Sequence, residues 1–250
     1  MSGSLPLSQF TLPVHHILKM DPGCYETNLT LLDDPAGQRI AEYMSERWAT
    51  RAAVLLSAFE AQANGAWCSL AASVIALRTI NYAAEGLFLV PTQRELYDEY
   101  VHANGLQGGV SLSELDAILR LVSEVRCASA LQVEFHVGHD QQQTLSSLYG
   151  SLLLAEQDGS VLLVNFLRQL RGVWTGHWSV LGGLAVDART GARHVLVLDV
   201  AAHKIGCHWV PLEMLVACIC TVNHRKESRG YLRLFLGMAA SQTGAGERTD

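Results

Sequence analysis

Charge is scarce in this chain: 17% of its 250 residues are Asp, Glu, Lys or Arg, and the formal net charge is -6 at pH 7. That balance leaves no broad basic surface, so nucleic acid is not an expected partner. None of the six cysteines (Cys24, Cys68, Cys127, Cys207, Cys218 and Cys220) stands in a CxxC pair, which argues against a redox dithiol or a zinc knuckle. A reduced, cytoplasm-like compartment is therefore expected. The opening residues MSGSLPLSQFTLPVHH lack the basic start and continuous apolar core of a secretory signal, so a periplasmic location is expected only if such a signal has been removed. No apolar run is long enough to cross a bilayer, and membrane association is not expected. Internal repeats and Pro- or Ser-rich linkers are absent, and no P-loop lysine follows Gly182 and Gly183, which read as close-packing positions in a strand.

What the chain does have is apolar material, 49% of its residues, enough for a sizeable core. From Asp34 to Phe59 apolar residues recur at helical spacing, with Asp34 as cap and Pro35 in the first turn, predicting one helix or a broken pair. After a turn at Asn64-Gly65, the run SLAASVIALRTINYA predicts a buried helix with Cys68 at its mouth. Two more helices are expected in PTQRELYDEYVHA and in SLSELDAILRLVSEV, the latter capped by Ser111 or Ser113. Past residue 130 the pattern becomes β-like: LQVEFHV alternates, SVLLVNFL is an apolar run, and WSVLGGLAVD and HVLVLDV flank a turn at Arg189-Thr190-Gly191. PLEMLVACICTV predicts a short helix after Pro211, and RGYLRLFLG a last strand. The expected fold is α+β, with a helical lobe (about 31–128) packed on a mainly antiparallel β lobe (about 129–238). Residues 1–30 read as an extension and 239–250 as a disordered tail. The natural place for a site is the cleft between the halves.

A thiolate attacks carbonyls, and a thiol becomes one near neutral pH at a helix N-terminus beside an imidazolium, which makes Cys68 a candidate nucleophile. His177, in GVWTGHWSVLGGL, and Asp199, the single carboxylate closing an apolar strand, are its candidate base and orienter. Leaving Asp199 buried and unpaired costs on the order of several kcal/mol, so it needs a partner. Gln62 carries the amide donor that an oxyanion requires, with the Cys68 N–H as a second donor. On spacing alone Cys68 reads more readily as a packing residue, like Cys24, Cys127, Cys218 and Cys220. Cys218 and Cys220 do not face together on a helix, so no metal clip is expected there. Cys207, His208 and His203 remain open as a soft-metal group. Trp178 and Trp209 line either the cleft or the core, and His15, His16, His136 and His139 read as solvated or strand-closing.

In these same segments the sequence resembles the catalytic domain of phytochelatin synthases, the papain-like glutathione γ-glutamylcysteinyltransferases. FEAQANGAWCSLAAS is similar to the family's nucleophile segment and VNFLRQLRGVWTGHWSVLGG to its base segment. VLVLDVAAHKIGCHWVPLEML and SRGYLRL are similar to its orienter segment and closing strand, and the matches run in order from about Leu31 to Leu234. The resemblance implies a papain-like fold, Cys68 as nucleophile, His177 as general acid/base, Asp199 as orienter and Gln62 as oxyanion donor. It implies glutathione and γ-Glu-Cys peptides as substrates. Asn165, Gly176 and Arg229 would line the γ-glutamyl pocket, with Arg168 and Asn223 as further substrate contacts. No resident metal or cofactor is implied for glycine release; cadmium or zinc enters as activator or as the substrate's thiolate complex, and a homodimer is left open. Departures from the family pattern are Ser69 in place of a glycine, Asn223 near a usual acidic position with Glu227 close by, Cys207-His208 in place of a proline-containing loop, and a longer hairpin at Asp187–Arg193. The short C-terminal region is similar to that of bacterial members, which favour cleaving glycine from glutathione. Two other readings stay open: a cysteine hydrolase of other γ-glutamyl or isopeptide substrates, and a catalytically idle protein that binds thiol peptides or metal ions.

Overall fold

The computed structural model describes residues 20–106, 109–127 and 130–237. The expected tail and the pair His15 and His16 lie outside the described residues. Strands β1 (Thr30–Leu31), β2 (Leu131–Val137), β3 (Val161–Leu170), β4 (Val173–Val186), β5 (Arg193–Leu198), β6 (His208–Pro211) and β7 (Gly230–Leu236) form one sheet in the order β1-β6-β5-β4-β3-β7-β2. Every pairing is antiparallel. The α+β expectation holds, with six of the seven strands in the second half of the chain and only the short β1 in the first.

Alternation along the strands sends successive side chains into two cores. One contains Leu163, Trp178, Val180, Leu196, Leu198 and Leu232, against helices α4 (Cys68–Ala83) and α6 (Leu112–Arg126). The other contains Leu162, Val164, Phe166, Leu181, Val195 and Val197, against α7 (Gln141–Asp158), α8 (Leu212–Ile219) and Tyr25 of the short α1 (Tyr25–Asn28). The sheet is thus covered on both faces rather than packed on one helical lobe.

The stretch from Asp34 is a broken pair, α2 (Pro35–Ala41) and α3 (Glu46–Ser57). The break falls where Met44 bridges Ala185 of β4, and Ser45 starts the second helix by accepting the Trp48 N–H at 3.1 Å. Two capping boxes, Thr92 with Glu95 and Ser111 with Glu114, start α5 (Gln93–Leu96) and α6. Beyond α5 the chain runs on as a π-helical turn over Tyr97–His102. An 18-residue helix, α7, lies in the half read as β. Its signals are in the sequence: Leu145, Leu148, Leu152 and Ala155 at helical spacing, Asp140 accepting the Gln143 N–H at 3.0 Å, and Gly159 closing at φ 79°. The turn at Arg189-Thr190-Gly191 forms as expected, with Gly191 at φ 73°. Among the described residues no helix is long and apolar enough to cross a membrane.

Candidate active site

Helix α4 begins at Cys68 and is buried along most of its length, which small residues such as Ala71, Ala72 and Ala76 permit. Its start, at Cys68, sits at the edge of the core. The backbone N–H groups of Trp178, the neighbour of His177 on β4, and of Ser69 act electrostatically on the Cys68 sulfur. Burial pushes the Cys68 thiol up; those two N–H groups and the charge of Arg168 act against it. The Trp67 ring stacks on Tyr97 at 4.8 Å, and Trp67 and Leu70, flanking Cys68, help line a pocket of about 250 Å³.

On the β side, Asp199 holds both a histidine and an arginine. His177 Nε2 lies 2.8 Å from Asp199 Oδ1, and Arg168 pairs with Asp199 Oδ2. A carboxylate only accepts, so Nε2 carries the hydrogen and Nδ1 is the free basic nitrogen. The Ala201 N–H also donates to Asp199 at 2.8 Å, so this fully buried carboxylate is fully engaged. Burial, and then the Arg168 charge, hold His177 well below the usual imidazole range. Burial thus works against charge on the thiol and on the imidazole alike, and Arg168 stands against the same Asp199 carboxylate that holds His177.

Arg168, expected as a substrate contact, is 1% exposed and turned onto Asp199. Its burial lowers its own pKa to about 10. Asn165 and Arg229 come together as expected: Arg229 Nη1 donates to Asn165 Oδ1 at 2.9 Å. Gly176 makes room for that guanidinium, since a Cβ there would sit 2.7 Å from both terminal nitrogens. Arg229 is 7% exposed, its Nε has no partner, and no carboxylate among the described residues pairs with it. Cys68 acts on it electrostatically, which places the two within range. The result is a half-satisfied guanidinium within electrostatic range of a thiol.

Gln62 approaches the site through its backbone, whose N–H donates to Val200 O at 2.9 Å. Its side-chain nitrogen donates to Asn64 O at 2.9 Å, while its oxygen is buried without a partner. Asn223 is not bonded to the Asn165–Arg229 pair: its amide donates to Glu227 at 2.7 Å inside the loop after α8. Trp178 and Trp209 are core residues. Cys127 and Cys218 are buried as expected, but Cys24 is exposed rather than packed.

Spacing gives no sign of a pair behind this site, Tyr25 and His208. Tyr25 Oη lies 2.7 Å from His208 Nε2, and His208 Nδ1 lies 2.9 Å from Gly206 O. Both ring nitrogens are engaged, so His208 is not free to complete a metal site with Cys207 and His203. Burial holds His208 down to about 4 against an ordinary 6.5. The folded state thus binds the proton more weakly than the unfolded chain, so the stability is present above pH 6.5 and is lost as pH falls. His208 alone should lower the unfolding free energy by about 3 kcal/mol between pH 6.5 and 4, with His177 adding in the same direction. Denaturant melts across that range check this, and a flat profile contradicts it.

A family model described as phytochelatin synthase matches residues 27–231. Glutathione gamma-glutamylcysteinyltransferase 1 of Lotus japonicus is 26% identical over 190 residues, which are 73% of this chain and 34% of that protein. The chain thus spans about a third of the length of that curated relative. With most of its length, and every residue of the site just described except Tyr25, inside the matched segment, the chain belongs to the phytochelatin synthase family.

Proposed function

We propose that the protein is a papain-like enzyme that removes glycine from glutathione through a Cys68 thioester. The observation that carries this reading is the buried Arg229 guanidinium, lacking a protein carboxylate and lying within electrostatic range of Cys68. A buried cation of this kind calls for an anionic ligand, and the α-carboxylate at the γ-glutamyl end of glutathione fits it bidentately. Asn165 fixes the guanidinium, and Gly176 leaves it space.

In this mechanism His177 Nδ1 takes the Cys68 proton as the sulfur attacks the carbonyl that joins cysteine to glycine. The charge formed on the oxygen meets the Cys68 N–H and the Gln62 amide. Asp199 stabilises the imidazolium on its Nε2 side, and Arg168 keeps that carboxylate in place. His177 then gives its proton to the departing glycine nitrogen. A γ-glutamylcysteinyl thioester remains on Cys68, to be resolved by water, giving γ-glutamylcysteine, or by the amine of a second glutathione, giving a phytochelatin. The relative's name supports the transfer route, and a heavy-metal ion such as cadmium would enter that route as a thiolate complex of the substrate.

The test is incubation with glutathione, with and without cadmium, following glycine and γ-Glu-Cys peptides by mass spectrometry. Glycine with γ-glutamylcysteine identifies the hydrolase, and longer peptides the synthase. No glycine from folded protein in either condition overturns the proposal.

A further inference from the structure

One hydrogen bond fixes a point on the His177 ring; the plane of the ring is set by what packs on it. The group packed on it is Phe166, its cross-strand partner in the β3–β4 register, 5.8 Å between centroids and edge-on at 79°. Behind Phe166 stands Tyr25, at 5.5 Å and 36°. Phe166 and Tyr25 are fully buried, so this row of rings has no slack filled by solvent.

Tyr25 is itself pinned. Gly206 O can only accept, so His208 Nδ1 carries the hydrogen and Nε2 accepts from the Tyr25 hydroxyl. The next residue, Glu26, accepts the Arg171 N–H at 2.7 Å, holding the turn that joins β3 to β4. The N-terminal segment thus grips both the ring row and the hairpin that carries His177. Tyr25 lies outside the stretch that the family model matches.

We propose that Tyr25 is a positioning residue for His177, acting through Phe166 and held in place by His208. This rests on His177 being the base for Cys68. The substrate pocket should be spared, because Asn165 and Gly176 point to the other face of the same two strands, out of phase with Phe166 and His177. Tyr25→Phe removes the pin and keeps the ring; Phe166→Leu removes the ring between.

The experiment follows iodoacetamide alkylation of Cys68 against pH, resolved by peptide mass spectrometry, in the wild type, Tyr25→Phe, Phe166→Leu and His177→Ala, with thermal melts to establish folding. In His177→Ala the thiol loses its proton acceptor and the inflection moves up. Both other variants should move it the same way, by about one pH unit, a tenfold change in the equilibrium. The kcat for glycine release should fall about tenfold with KM within about twofold. A purely structural role lowers the amplitude of labelling and leaves the inflection where it was. Should His177→Ala leave the profile unmoved, the His177–Cys68 pairing is what fails. If His177→Ala moves it and either folded variant keeps the wild-type profile, the role of Tyr25 is overturned.

Discussion

Replacing Cys68 by alanine is expected to lower glycine release from glutathione by at least about 10⁴-fold, because the nucleophile acts as one unit with its base. Among the other cysteines, burial pushes Cys127 and Cys207 up to about 11, Cys218 up to about 12 and Cys220 upward, and none of these four has the backbone N–H groups and the Arg168 charge that act against burial at Cys68. The side chain removed is small and the site sits at the edge of a well-filled core, so the variant should melt within about 1 kcal/mol of the wild type. Glycine assays beside a melting curve check both halves. Residual release within tenfold of the wild type, from folded protein, would assign the chemistry to another group.

The second large effect is expected at Asp199. Asp199→Ala strands the Arg168 guanidinium in the interior with no counter-charge and frees the His177 Nε2 side. Breaking a buried pair from one end costs about 3–5 kcal/mol, and losing the orienting carboxylate lowers turnover by about 10⁴-fold. The two losses are separable. In Asp199→Ala combined with Arg168→Met the stranded charge is gone, so most of the stability should return while turnover stays low. Denaturant melts and glycine kinetics on the single and double variants decide it: a double variant as unstable as the single one would mean that the cost lies elsewhere.

The residues of the site are legible in the sequence in proportion to how local their signals are. Cys68 at a helix start follows from a breaker-free run after Asn64-Gly65, and the pairing of Asp199 with His177 from a lone carboxylate in an apolar strand that has to find a partner. The need for a partner says nothing about there being two. Arg168 is nine residues before His177 but on another strand, and only the antiparallel register brings both to Asp199. As a substrate contact it has the right neighbourhood and the wrong neighbour. Asn223, likewise, is placed by analogy of position, whereas its own loop supplies Glu227 as partner.

Of the fold, the strands and capped helices are readable because alternation, Ser and Thr caps and turn glycines are short-range features. Helix α7 carries the same kind of signal, yet its four glutamines and scattered serines dilute the apolar stripe, and the β-like texture on both sides draws the reading away. The contribution of Tyr25 has no local signature at all. Its hydroxyl meets His208 across 183 residues of chain, a contact that exists only once the sheet has formed.

The central claim is that glutathione leaves an acyl group on Cys68. Intact-mass spectrometry of the protein quenched in acid shortly after mixing with glutathione tests it most directly. The account predicts a γ-glutamylcysteinyl adduct that maps to the Cys68 peptide, appears together with free glycine, and is absent from Cys68→Ala. Glycine release with no adduct on Cys68 at any time, or the same adduct on the alanine variant, would contradict it.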